Sequence, residues 1–175
     1  MTTKQLDQGA EEFLPAEELT VHLHWDATTD LDIFAIYENK DGQKGLVYFA
    51  EAGATKEYPF IELLFSFEFS GIPVDNQEII GIGQMDMNKI WILGWDFDAV
   101  QEGVTTDFEE QRVYLEIRCK DKVVLTRSED LGKGNLAVMG CFHKDDSNQF
   151  VFRNRSEMRE ISVPEQMEDL LNILL

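Results

Sequence analysis

Residues 19–50 read LTVHLHWDATTDLDIFAIYENKDGQKGLVYFA, and their pattern decides the fold class. Leu19, Val21, Leu23 and Trp25 alternate with Thr20, His22 and His24, the period of a strand with one buried face. DIFAIYE predicts a second strand, NKDGQK carries the strong hairpin signal Asp41-Gly42, and GLVYFA returns. Between the first two strands lie Asp26, Asp30 and Asp32, three carboxylates at the mouth of an apolar run. Carboxylates are costly to bury without a positive partner or hydrogen bonds, so this cluster needs a physical reason.

The same pattern continues along the chain. FIELLFSFEF (60–69) is strand-like, SGIPVDNQ breaks it, and EIIGIG and KIWILGW follow. QRVYLEIRC and KVVLTRS predict a hairpin turning at Lys120-Asp121, and LAVMGCF and QFVFRN predict another around the polar KDDSN. About ten short strands with little helix between them imply a mainly β chain, a two-sheet antiparallel β-sandwich. The exception is PEQMEDLLNILL, opened by Pro164, where Met167, Leu170, Leu171 and Leu174 form one stripe at helical spacing. The expected organisation is a loose acidic lead-in over 1–17, a β-sandwich over 18–158 and a short C-terminal amphipathic helix over 159–175.

At 175 residues, with 43% hydrophobic, the chain suits one domain with a sizeable core. Its 34 acidic and 15 basic residues give a net charge of −19. Such a surface repels phosphate backbones and argues against nucleic acid as a partner, while cations, basic proteins and plain solubility stay compatible with it. Cys119 and Cys141 sit in apolar strand contexts and read as buried free thiols. MTTKQLDQGAEEFLP has no apolar core of a signal peptide, and no apolar run approaches the ~20 residues of a membrane helix, so a cytoplasmic protein without a transmembrane segment is expected.

Two DxD pairs carry the candidate chemistry: Asp30 with Asp32, and Asp96 with Asp98 in the echo WDFD. In a strand, residues i and i+2 project to one face, here roughly 6–7 Å apart at the backbone. If the two strand ends lie together, the carboxylates raise one another's pKa unless a cation neutralises them, and Ca²⁺ takes such oxygen-rich sites. The plainer alternative is solvated loop acids or Asx caps of turns. The pairs also permit an acid and a nucleophile of glycoside hydrolysis, with Trp25, Trp91 and Trp95 as a sugar platform, but nothing else supports that chemistry. His22-Leu23-His24 and Cys141-Phe142-His143 together offer four zinc ligands, although neither spacing is a strong zinc signature. No phosphate-binding loop opens a helix and no serine nucleophile elbow is present, so a non-enzymatic protein is expected.

In order along the chain, WDATTDLDIFAIYENKDGQKGLVYF, EIIGIGQMDMNKIWILGWDFDA, FEEQRVYLEIRCKDKVVLTRSEDL and LAVMGCFHKDDSNQFVFRN resemble segments of the TerD family of tellurium-resistance and stress proteins. The resemblance covers about residues 19–156 and rests on the order of the segments more than on any one of them. It implies a β-sandwich that binds Ca²⁺, performs no known catalysis, and serves stress or tellurite resistance within assemblies near the membrane. The DLD motif carries onto Asp30 and Asp32, and the acidic turn after the central strand onto Asp98, with Asp96 beside it. One departure matters: FEFSGIPVDNQE replaces a loop that in the family opens with Gly-Asp-Asn, leaving Asp75, Asn76 and Glu78 as oxygen donors. The expected function is therefore Ca²⁺ binding by a stress-response protein. The alternative is a metal-free acidic interaction module, meeting a protein partner or a second copy through its negative surface or C-terminal helix.

Overall fold

The computed structural model of the chain describes residues 1–15, 17–26, 29–64 and 76–174. In chain order its strands begin β1 (Thr2–Gln5), β2 (Glu11–Phe13), β3 (Leu19–His24), β4 (Asp32–Glu38), β5 (Lys44–Val47), β6 (Gly53–Ala54), β7 (Ile61–Leu64) and β8 (Gln77–Ile82). They continue β9 (Lys89–Trp95), β10 (Thr106–Asp107), β11 (Tyr114–Cys119), β12 (Lys122–Leu125), β13 (Lys133–Gly134), β14 (Leu136–Lys144) and β15 (Phe150–Arg159), with one short α-helix, α1 (Phe97–Glu102), after β9. The chain is thus mainly β, with two large sheets and little helix. A seven-stranded sheet runs β1-β12-β11-β3-β8-β7-β6, a six-stranded sheet β2-β15-β14-β9-β4-β5, and β10 and β13 form a ribbon.

The hairpins form where the turn chemistry predicts. Asn39 Oδ1 accepts from the N–H groups of Asp41 and Gln43 at 3.0 and 2.9 Å, and Gly42 takes the left-handed φ of 79° that closes β4 onto β5. Asp145 repeats the device between β14 and β15, its Oδ1 accepting from Ser147 and Gln149 N–H at 2.9 Å each. Strand alternation also sorts the side chains as expected. Val21 and Leu23 of β3, Ile80 and Ile82 of β8, and Ile33 and Ala35 of β4 belong to one buried cluster that draws on both large sheets. Gly94 of β9 marks a close approach inside it, since a Cβ there would meet Leu23 Cδ2 at 3.1 Å.

Four expectations are corrected. The strands number fifteen among the described residues, because the short pieces β1, β2 and β6 extend the edges of the large sheets and β10 and β13 form their own ribbon. The N-terminal residues are not a loose lead-in: β1 runs along β12, β2 along β15, and Leu6 and Leu14 are buried. Glu12 pairs with both Lys4 and Lys122, tying the two edge strands together. The free N–H and C=O groups of sheet edges attract such segments whatever their own polarity, so the pattern of 1–17 could not announce it. The β1–β12 pair is parallel, so the pairing is not wholly antiparallel.

The fourth correction is the C-terminal segment, which is a 3₁₀ helix over Met167–Asn172 rather than an α-helix. Leu170 is buried in a second cluster with Phe34, Trp91, Trp95 and Val138 of the six-stranded sheet, and Met167, Leu171 and Leu174 pack around it. So short a helix has little stability of its own, and the sheet surface it covers dictates its winding. No helix among the described residues is long and apolar enough to cross a membrane. Of the predicted strand 60–69, Ile61–Leu64 form β7 and Phe60 precedes it, while 65–69 lie outside the described residues.

Candidate cation site

Trp25 directly follows β3, and its indole N–H donates to Thr29 O at 2.7 Å, pinning the turn that leads to Asp30. Asp32 is the first residue of β4 and lies opposite Trp95, the last of β9, whose indole N–H also donates to it. Across the core, Glu78 of β8 shares its strand face with the fully buried Ile80 and Ile82. A glutamate at such a position must find a donor, and Glu78 Oε2 accepts from Ile33 N–H of β4 at 2.7 Å. This bond joins the seven-stranded sheet to the six-stranded one at the end where Asp30 and Asp32 enter. Asp32 and Glu78 line one cavity with Phe34, Tyr48, Phe49, Trp95 and Met167.

Both carboxyls hold their protons unusually tightly. Burial, then the charges of Asp30 and Asp98, push Asp32 from its ordinary 3.8 up to about 6. Burial pushes Glu78 from 4.5 up to about 7; the hydrogen bond from Ile33 opposes this, and the charges of Asp32 and Asp30 add to it. The leading charges acting on each are other carboxylates. Asp30, Asp32, Glu78 and Asp98 therefore share one electrostatic environment, as the sequence predicts for the first pair and Asp98. Among the described residues these acids do not form a ready cluster of three metal-ligand atoms, so a cation would have to draw them together.

The second DxD pair is not a strand pair. Asp96 is the N-cap of α1, with Oδ1 accepting from Ala99 N–H at 3.0 Å and Oδ2 from the Thr106 hydroxyl at 2.6 Å. Asp98 lies exposed in the first turn of α1, where a negative charge suits the helix dipole. The sequence signal for this was the ordinary one, an aspartate three residues before the buried Ala99-Val100 step. Asp75 lies outside the described residues. Asp26, the third acid of the opening cluster, faces solvent and pairs with Arg112 at 3.2 Å.

The other groupings come apart. Cys141 packs in the second apolar cluster of the six-stranded sheet and His143 pairs with Glu11, whereas His22 and His24 lie on the seven-stranded sheet. The tetrad of two histidines with Cys141 and His143 is therefore not assembled. Trp25, Trp91 and Trp95 are all buried, at 7%, 8% and 2% exposure, and present no sugar platform. Glu116, which the sequence reasoning missed, stands beside His22 and His24; its signal was the outward set Tyr114, Glu116 and Arg118 in YLEIRC.

No family model and no curated protein matches the chain. Among solved structures, it is similar to a crystal structure of a protein of unknown function, SAV2460, at 17% identity and a TM-score of 0.49, over 82% of this chain and 92% of that one.

Proposed function

We propose that the chain is a non-enzymatic, TerD-like β-sandwich of the stress-response type that binds Ca²⁺ at the joined ends of its two sheets. Asp32 and Glu78 are the inner ligands, Asp30 and Asp98 the outer ones, and Asp96 holds the α1 turn that presents Asp98. The single observation behind this is the Asp32–Glu78 pair: two carboxyls from facing sheets, half-buried, surrounded by further carboxylates and raised to about 6 and about 7. A hard cation with a demand for many oxygens relieves that repulsion, and water and backbone carbonyls complete its shell. The order of the TerD-like segments along the chain supports the same assignment. Ca²⁺ acts here structurally, tying the starts of β4 and β8 to the α1 turn. The competing idea of docking through a free C-terminal helix is disfavoured by Leu170, which is already buried on the chain's own sheet.

The test is a thermal melt of chelator-stripped protein with and without millimolar Ca²⁺. Ligand at a hundredfold excess over Kd stabilises by about 2.7 kcal/mol. For a domain of this size that raises Tm by about 5–10 °C. An unchanged Tm, or a Ca²⁺ response that survives in the double variant Asp32→Asn/Glu78→Gln, rules the assignment out.

A further inference from the structure

A second ligand cluster lies on the face of the seven-stranded sheet opposite Glu78. Among the described residues, His22, His24 and Glu116 bring one ligand atom each within 4.8 Å of one another. Strand geometry is the cause. His22 and His24 are i and i+2 on β3, on the face opposite Val21 and Leu23, and Glu116 of β11 is the register partner of His22. His24 Nε2 lies 3.3 Å from Glu116 Oε1, and the two imidazoles are parallel, 5.9 Å between centroids.

The rings are held in place by their surroundings. Tyr114 stacks on His24 at 4.8 Å. His22 is 5% exposed, and its nitrogens meet Thr20 Oγ1 at 2.9 Å and Gln77 Oε1 at 3.3 Å. With the Gln77 oxygen as acceptor, Nδ1 donates and Nε2 accepts from the Thr20 hydroxyl, a lone pair that a metal takes by displacing that hydroxyl. An imidazole oriented by a hydrogen bond on one nitrogen, with a lone pair on the other, is the usual arrangement behind a bound metal. Arg118 contacts Glu116 through Oε1, from Nε at 2.9 Å and Nη2 at 2.6 Å, and a carboxylate has a second oxygen to offer. His24 and Tyr114 also line an open cleft with Trp25, Asp26, Asn76 and Arg112.

We propose that His22, His24 and Glu116 bind a divalent transition metal of the zinc type, with water as the fourth ligand, at a site separate from the Ca²⁺ site. Two imidazoles and one carboxylate suit zinc, whereas Ca²⁺ prefers oxygen alone. Arg118 competes for Glu116 and sets the affinity below that of a dedicated structural zinc site.

The chelator-treated full chain is titrated with Zn²⁺ by calorimetry in excess Ca²⁺, and with Co²⁺ by visible spectroscopy. One equivalent of Zn²⁺ and the intense bands of four-coordinate Co²⁺ are expected. His24→Gln and Glu116→Gln each weaken binding more than tenfold, Gln77→Ala weakens it by about tenfold, and Asp32→Asn leaves it unchanged. Folding of each variant is checked by circular dichroism. Glu116→Gln, which keeps the size of a partly exposed side chain, decides the matter if His24→Gln does not fold. Absence of stoichiometric binding, or binding indifferent to Glu116→Gln, leaves only a cross-strand His–Glu ion pair and overturns the proposal.

Discussion

Two groups of carboxylates in this acidic chain sit in opposite surroundings. At the sheet edges, the hydrogen-bonded Arg155 at 2.6 Å, with Arg159, holds Glu157 below the usual glutamate range. Glu12 loses by burial but gains more from Lys122 and Lys4, so it too is lowered. At the joined ends of the sheets, Asp32 and Glu78 meet burial and further carboxylates instead, and both are raised. With 34 acidic side chains and 15 basic ones, most acids can have no basic partner. Glu12 links β2 to β1 and β12, Glu157 pairs within β15 with Arg155 and Arg159, and the acids between the sheets have other acids as their leading charged neighbours. Basic neighbours thus favour the ionised form of the first group, whereas deeper burial and like charge favour the protonated form of the second.

The largest expected effect sharpens that difference through pH. Asp32 and Glu78 must lose their protons to bind Ca²⁺, so with values of about 6 and about 7 the affinity rises by about 100-fold between pH 5.5 and 8. Calorimetry at a series of pH values reads this directly, and a flat profile would separate the two carboxyls from the binding step. The sign for stability without metal runs the other way. A raised carboxyl keeps its proton in the folded state after the unfolded chain has released it, so stability is greatest below the ordinary 3.8 and 4.5 and is lost as pH rises toward 6 and 7.

A smaller effect follows for Glu78→Gln. The amide oxygen still accepts from Ile33 N–H while the charge is gone, so the metal-free variant gains about 2–4 °C in Tm at pH 7.5. At pH 5, where Glu78 is already protonated, the gain disappears. A loss of stability at both pH values would show that the site is an ordinary cross-sheet brace. The smallest effect belongs to the edge acids. Glu12→Gln and Glu157→Gln each cost about 0.2–1 kcal/mol, as exposed ion pairs do, and the cost shrinks in high salt. Their sign is also reversed: a lowered carboxyl contributes stability above its ordinary 4.5 that is lost as pH falls through the folded value. Denaturant melts at two salt concentrations check both.

Much of the fold and part of the site were legible from residues in isolation. The alternation in LTVHLH predicted which side chains of β3 enter the core, and Asp41-Gly42 predicted a hairpin that Asn39 closes. Asp30, Asp32 and Asp98 were picked out as one group, and the charges of Asp30 and Asp98 both act on Asp32. WDFD misled because spacing alone cannot tell a strand pair from a helix cap and first turn; the deciding contacts, Ala99 N–H and the Thr106 hydroxyl, lie downstream. LLNILL misled because helical spacing says which residues are apolar, not how tightly the segment winds on the surface that receives it.

What the sequence alone determined is therefore local: the period of each strand, the polar turn that ends it, and the supply of acids. What the tertiary structure decided is which of those acids share a space. Glu78 meets Ile33 across 45 residues, Glu116 meets His24 across 92, and the N-terminal strands lie along partners more than a hundred residues away. Backbone conformation is set by neighbours a few positions off, whereas burial and charge act through space, and only the packed sheets bring distant carboxylates, imidazoles and edge strands within that reach.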